Sequence, residues 1–260
     1  MVLAFLGTAI AAFAQDDSSA KAYQAYNDGK AKADAKEYAA ALELFTEAIE
    51  VGDPEKDYDA QIIDASKKNG AIAAYYVGND LRKAEKFDEA LATYEKGIEY
   101  SPDLYYNYVG RAQALSSKGD YAGSVTAYFK AAEVAEAAGS SDKAAGMLEQ
   151  AAKLPGIAWS KKDWDVAVAT AEAYLEQKET ADAYYYLGQS LKEKGEMEKA
   201  AEHTMKAAEM YEGEDQDKAY YRLGEIYEAM GKKQEAIEAY GKAGGKYSER
   251  AKYKADQLGG

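Results

Sequence analysis

Small residues recur in a fixed frame along this chain, and that frame constrains the fold more than any other feature of the sequence. Gly78 lies in Tyr75-Tyr76-Val77-Gly78, Gly188 in Tyr185-Tyr186-Leu187-Gly188 and Gly224 in Tyr221-Arg222-Leu223-Gly224. Each is followed at equal intervals by Ala90, Ala200 and Ala236, then by Tyr94, Thr204 and Tyr240, then by Gly97, Ala207 and Ala243. With that glycine placed eighth, units start at Ala71, Ala181 and Asp217. The same template falls on Tyr105 with Ala112 in the small-residue place, and on Ala22 with Gly29, Ala41, Phe45 and Ala48. A weaker copy starts near Leu148 with Trp164 and Ala167. The starts at Ala71 and Tyr105 are 34 residues apart, so these two units abut. A period of this size marks an array of supersecondary units, none of which can bury its apolar face alone.

The pattern resembles the tetratricopeptide repeat, a helix-turn-helix unit in which small residues let helices A and B touch while large ones fill the gaps. The second unit carries the resemblance best, through Val77, Gly78, Leu81, Phe87, Ala90, Tyr94 and Pro102, with Ala74 in place of the leading aromatic residue. The resemblance implies an all-α fold, a right-handed superhelical solenoid of such repeats. Units 1–3 are expected over residues 22–138, a linker over 139–147, units 4–6 over 148–248 and a polar closing helix over 249–260.

Local signals refine this frame. Lys118-Gly119-Asp120, Lys194-Gly195-Glu196 and Met230-Gly231-Lys232 place glycine where helix A must end in a left-handed residue. Ser101-Pro102 and Asp53-Pro54 read as helix starts, an N-cap side chain followed by proline at the first helical place. Residues 56–70 form an insertion, read as an extra or lengthened helix with Asn69-Gly70 as its stop. Pro155-Gly156 is expected to break or kink the first helix of the fourth unit.

Composition closes several classes of function. A formal net charge of −14 repels phosphate backbones, so nucleic acid is a poor partner. With no cysteine, disulfides, thiolate metal sites and Cys nucleophiles are impossible. The single histidine, His203, has no Cys or Ser partner at a recognisable spacing, and no triad or zinc motif is present. Glu212 to Asp217 lacks the alternating ligands of a calcium loop and reads as a solvated connection. The expectation is a non-enzymatic chain with no catalytic residue, cofactor or metal.

Within each helix A, the fourth, seventh, eighth and eleventh places form the core stripe, and the second, fifth, ninth and twelfth form its neighbour. The family resemblance implies that this second stripe lines a concave groove for an extended or helical peptide. Its fifth places hold Tyr26, Tyr75, Tyr185 and Tyr221, its second place in the third unit holds Tyr106, and its twelfth in the fourth holds Trp159. The ninth places hold Lys30, Asn79, Gln113, Gln189 and Glu225. Tyrosine joins apolar area to a polar tip at low entropic cost, which suits a wet binding surface. The same tyrosines also suit sealing of neighbouring helices. Co-chaperone members of the family hold a C-terminal carboxylate with lysines and asparagines on this face. Only Asn79 matches that clamp, so Hsp70 or Hsp90 tails are not expected. The expected partner is a protein or peptide; the alternative is a scaffold that self-assembles through its array ends or convex face, as a homo-oligomer.

At the N-terminus, Val2 to Phe13 carries no charge and runs into Ala12-Phe13-Ala14 and the polar Gln15-Asp16-Asp17. Residues 1–14 read as a signal peptide and 15–21 as a short tail, although no basic residue precedes the apolar run. The run falls short of a bilayer span, so no integral span is expected after cleavage, and the expected address is the periplasm. Secretion, or anchoring by an uncleaved segment, is the alternative. Mass spectrometry of the chain isolated from its own cells is expected to find a start at Gln15; a start at Met1 removes the cleaved signal peptide.

Overall fold

In the computed structural model, which describes residues 17–259, the eighth-place residue does in three dimensions what its recurrence implies. It lets the two helices of a unit close over the residue sixteen positions later. A Cβ added at Gly78 would lie 2.5 Å from the Tyr94 ring, at Gly29 2.9 Å from Phe45, and at Gly224 2.5 Å from Tyr240. Gly188 meets the hydroxyl of Thr204 in the same way. Tyr94 is clamped from both sides, because Gly110 of the next helix A is equally close to it. Ala41, Ala90, Ala200 and Ala236 complete these contacts and are fully buried. Full burial of one such ring contributes about 1.5–3 kcal/mol, so its register decides which helices pair.

Thirteen α-helices and one 3-10 turn, Gly245–Tyr247, account for nearly all of the described residues, among which there is no strand. The pairs are α1 (Asp17–Asp34) with α2 (Tyr38–Val51), and α3 (Asp57–Lys83) with α4 (Phe87–Tyr100). Next in chain order come α5 (Tyr105–Lys118), α6 (Tyr121–Ala137), α7 (Ser141–Ser160) and α8 (Trp164–Leu175). The last pairs are α9 (Ala181–Glu193) with α10 (Met197–Met210) and α11 (Gly213–Ala229) with α12 (Lys233–Lys242), followed by α13 (Ser248–Gly259). The fold is therefore an all-α helical repeat. The chain divides into two compact units, one of residues up to Lys118 with Ala131–Ala144, the other of Gly119–Lys130 with residues from Ala145 onward. In the first, each helix packs on the next from α1 to α5, and α3 also touches α1 and α5. In the second, the succession runs from α8 to α13. The apolar segment 1–14 lies outside the described residues.

Every A-to-B turn places a left-handed residue at the fifteenth position of its unit. Three are the glycines that the sequence marks, Gly119, Gly195 and Gly231, with φ of 92°, 83° and 73°. The other three are Lys36, Glu85 and Lys162, at φ of 62°, 60° and 61°. A side chain in that conformation costs about 1–2 kcal/mol, so the helix-pair packing overrides local preference in those turns. Lys162 also puts the fourth unit in phase with the others.

Several local expectations are corrected. Pro155 neither ends nor divides its helix; α7 runs through it. Pro155 takes the eighth place and is buried, and Ala171, sixteen positions later, is buried too. The linker expected over residues 139–147 is confined to its start, because α7 begins at Ser141. The Ser140-Ser141-Asp142 run is a helix start there, with the Ala144 amide donating to the Ser140 carbonyl at 3.0 Å. Asn69-Gly70 does not stop α3: the Asn69 side chain bonds the Ala65 carbonyl, and Gly70 makes room for the Tyr100 ring at 3.0 Å. The two X-Pro pairs form β-turns ahead of their helices, with Lys56 N–H donating to Asp53 O and Leu104 N–H to Ser101 O. Glu212 to Asp217 is mostly the first turn of α11, not an open connection.

The close approach can be tested by substitution. Gly78→Ala is expected to lower the denaturant midpoint by the equivalent of about 1–3 kcal/mol, through overpacking against Tyr94. Gly146→Ala, in α7 with nothing near its added methyl, is expected to raise stability by about 0.5–1 kcal/mol. Equal effects at both sites would remove the special role of the eighth place.

Candidate functional site

The A-helix stripe that the sequence nominates is partly open in the first compact unit and largely filled in the second, where Trp159 and Asp182 remain exposed. On α3, Ile72, Tyr75, Tyr76 and Asn79 share one face by their helical spacing. Ile72 is 46% exposed and Tyr76 41%, and Tyr106 at the start of α5 is 44% exposed. The rings make a continuous ladder. Tyr38 stacks on Tyr76 with centroids 4.1 Å apart and planes at 11°. Tyr76 meets Tyr75 at 5.5 Å, Tyr75 meets Tyr106 at 5.5 Å, and Tyr106 meets Tyr105 at 4.2 Å. The Tyr105 phenol is pushed up to about 12, first by its hydrogen bond to the Tyr106 hydroxyl and then by burial. At the other end of the stripe, Tyr26 is half-buried against Phe45, and the exposed Lys30 holds its ammonium 5.8 Å from the Tyr26 ring. Gln113 on α5 is half-buried. Ile72 holds a second place on the nominated stripe, and Tyr105 a first place beside it. Tyr76 borders the stripe by helical spacing, whereas Tyr38, on α2, is brought alongside it by the fold.

In the second compact unit, three nominated groove residues belong to the interior. Tyr185 is 6% exposed, Gln189 6% and Tyr221 2%. Tyr185 is enclosed by Tyr186 and Tyr211, and the Lys218 ammonium lies 4.5 Å from its ring centroid. Tyr221 is covered by Tyr240, by Tyr247 and by the Arg250 guanidinium 5.3 Å away on α13. The closing helix thus consumes the face that the stripe would have left open. Glu225 is held by Arg222 at 2.7 Å, with Lys192 at 3.9 Å. Trp159 stays at the surface, 36% exposed, with its ring 5.9 Å from that of Tyr186.

The ninth and twelfth places have a further duty. The Tyr94 hydroxyl, carried to the far side of its helix pair, donates to Asn79 Oδ1 at 2.9 Å. Gln189 Nε2 donates to Thr204 Oγ1 at 3.4 Å, and the Tyr240 hydroxyl donates to Glu228 Oε2 at 2.7 Å. A hydroxyl in this position needs a partner, and these places supply it. Asn79 and Gln189 are therefore engaged by their own repeat. The Tyr240 hydrogen bond, followed by the Lys254 ammonium at 3.0 Å, holds the Glu228 carboxyl below the usual glutamate range.

His203 packs its ring on Tyr184 at 5.9 Å and 15°, and burial pushes its pKa down. No group of three or more His, Asp or Glu side chains able to hold a metal ion occurs among the described residues. No described helix is long and apolar enough to cross a membrane. The open face offers apolar and aromatic area with amide and phenol groups at its edge, the chemistry of a binding surface.

Two family models bearing the description tetratricopeptide repeat match this chain, one over residues 217–243 and the other over 78–141 and 157–215, together more than half of its length. Among solved structures, YrrB, described as a TPR protein with an unusual peptide-binding site, is 20% identical with a TM-score of 0.39, over 72% of this chain and 91% of that one. MamA from residue 41 to its end, from Desulfovibrio magneticus RS-1, is 19% identical with a TM-score of 0.36, over 66% and 92%. The TPR2AB-domain:pHSP90 complex of yeast Sti1 is 18% identical with a TM-score of 0.35, over 92% and 97%. No curated protein matches.

The hydroxyl–carboxylate pairing has a pH signature. Because the folded pKa of Glu228 is depressed, its contribution is present above the unfolded value, about 4.3, and is lost as pH falls through the folded pKa. Urea midpoints of the parent chain and Glu228→Gln are expected to differ at pH 7 and to draw together only as pH falls below the unfolded glutamate value of about 4.3 towards the lower folded pKa. A difference that persists unchanged into acid would show that the carboxylate charge is irrelevant to the contact.

Proposed function

Since this chain belongs to the tetratricopeptide repeat family, and so is a protein–protein interaction module, we propose that it binds a partner protein or extended peptide on the open A-helix face of its first compact unit, without catalysis. The observation that carries this reading is the five-tyrosine ladder flanked by Ile72. Large apolar side chains at more than 40% exposure are grouped there on adjacent A helices, so much of their area is left open after the array has packed. Rigid aromatic residues of this kind, with phenol tips for hydrogen bonding, are the usual anchors of interfaces. Partner apolar side chains would rest on the Tyr75, Tyr76 and Tyr106 rings beside Ile72, with the Gln113 amide at the margin for the peptide backbone. The apolar run Val2–Phe13 supports action in the cell envelope.

Chemical crosslinking in cells identifies the partner, whose affinity is then measured on purified chains. Ile72→Ala and Tyr106→Ala are each expected to weaken binding by roughly 1–2 kcal/mol with the helical signal and melting midpoint retained, since both side chains are exposed. Tyr185→Ala is expected to do the reverse, lowering the melting midpoint by removing a buried ring. Unchanged partner affinity in the Ile72→Ala, Tyr106→Ala double variant takes this face out of the account.

A further inference from the structure

The second compact unit carries a different surface, made by Trp159 on α7 and by Tyr186 and Asp182 on α9. Tyr186 lies against Gly156, whose added Cβ would be 3.0 Å from the ring, so absence of a side chain at position 156 seats the phenol on α7. Trp159, three residues further along α7, meets that ring at 5.9 Å with the planes inclined at 46°. The indole remains partly exposed. Asp182 precedes Tyr186 by four residues, one helical turn, and is exposed.

Charge distinguishes this place from its surroundings. On the A-helix stripe of the fourth to sixth repeats, Glu149, Asp182, Glu225 and Glu228 stand against Lys192 and Lys218. Three of the four acids have cations of their own: Glu149 has Lys153, Glu225 has Arg222, and Glu228 has Lys254. Asp182 has no ion pair among the described residues; its hydrogen-bond partner is the neutral Tyr211 hydroxyl. The rings tell the same story. In this unit Tyr184, Tyr185, Tyr220, Tyr221 and Tyr247 each carry a lysine or arginine of the chain itself within 5.5 Å. No such cation is found over Trp159 or Tyr186 among the described residues; Tyr174, Tyr211, Tyr227, Tyr240 and Tyr253 also have none. Of these rings, however, the Trp159 indole is the strongest cation acceptor, and it has Tyr186 beside it with Asp182 one turn away on α9.

We propose that Trp159, Tyr186 and Asp182 form a subsite for one basic side chain of the partner, arginine in preference to lysine. A planar guanidinium can lie on the rings and direct its N–H groups at the carboxylate, a combination that a compact ammonium cannot match. A carboxylate without an ion pair, beside a partly exposed indole, is complementary to a cationic side chain, and to guanidinium more than to ammonium. The inference rests on the reading of the A-helix face as the partner-binding face and adds the chemistry of the partner.

The test is a titration of the full chain, in low salt, with the blocked pentapeptide Ala-Ala-Arg-Ala-Ala and its Lys and Glu counterparts, followed by the indole N–H resonance of Trp159. That resonance is assigned with Trp159→Phe and read against Trp164. The arginine peptide is expected to move the Trp159 signal in a saturable way, lysine less, and glutamate not at all. Asp182→Asn, which keeps an oxygen for the Tyr211 hydrogen bond, is expected to weaken the arginine peptide about threefold, as is salt. Equal shifts with the arginine and glutamate peptides would leave a peptide-binding face but overturn the cation subsite. No shift at Trp159, or one indifferent to Asp182→Asn, also overturns it. None of these outcomes touches the first unit, whose role is decided by the Ile72 and Tyr106 variants.

Discussion

The whole architecture depends on the close crossing of two helices over one side chain. Tyr94 needs Gly78 on one side and Gly110 on the other, and any Cβ at either position would enter its ring. Phe45 and Tyr240 repeat the demand on Gly29 and Gly224. Once this crossing is made, the core stripe of helix A is committed to its own helix B, and the next stripe round the helix is turned towards whatever follows. Small-residue recurrence is thus a packing constraint that sets the fold and also chooses which side chains are left over.

What is left over differs between the compact units for identifiable reasons. In the second, Tyr247 and Arg250 close over Tyr221, and Tyr211 with Lys218 closes over Tyr185. In the first, Tyr75 is half-buried between the core of Ala90, Tyr94 and Ala114 and the rings of Tyr76 and Tyr106, which with Ile72 stay in water. Identical residue types at identical places therefore have different fates, as core in one case and as surface in the other. The hydroxyls of Tyr94 and Tyr240 impose a second constraint, since each crosses its helix pair and takes a polar partner from the very stripe that faces outward.

These contacts explain how far the sequence can be read. The repeat frame, the helix pairs and three of the six turns were legible because glycine in a left-handed turn or under a ring has few alternatives. The turns at Lys36, Glu85 and Lys162 were not, because packing imposes a conformation that local chemistry disfavours. Pro155 reads locally as a breaker, yet its helix continues through it to Ser160. The two X-Pro pairs were correctly seen as boundaries but belong to turns ahead of the helices. The candidate face was half legible: stripe membership follows from helical spacing, whereas exposure depends on what the next helix carries. Tyr26, Tyr75, Tyr106 and Trp159 retain access in varying degree, while Tyr185, Gln189 and Tyr221 do not.

The most direct measurement places a photo-activatable phenylalanine analogue at position 106 on α5 and, in a separate chain, at the exposed Ala92 on α4, and illuminates living cells. Adducts to a single partner protein are expected from position 106 and not from position 92. Adducts from position 92 alone, or equally from both, would contradict the assignment of the tyrosine-bearing A-helix face as the surface that the partner meets.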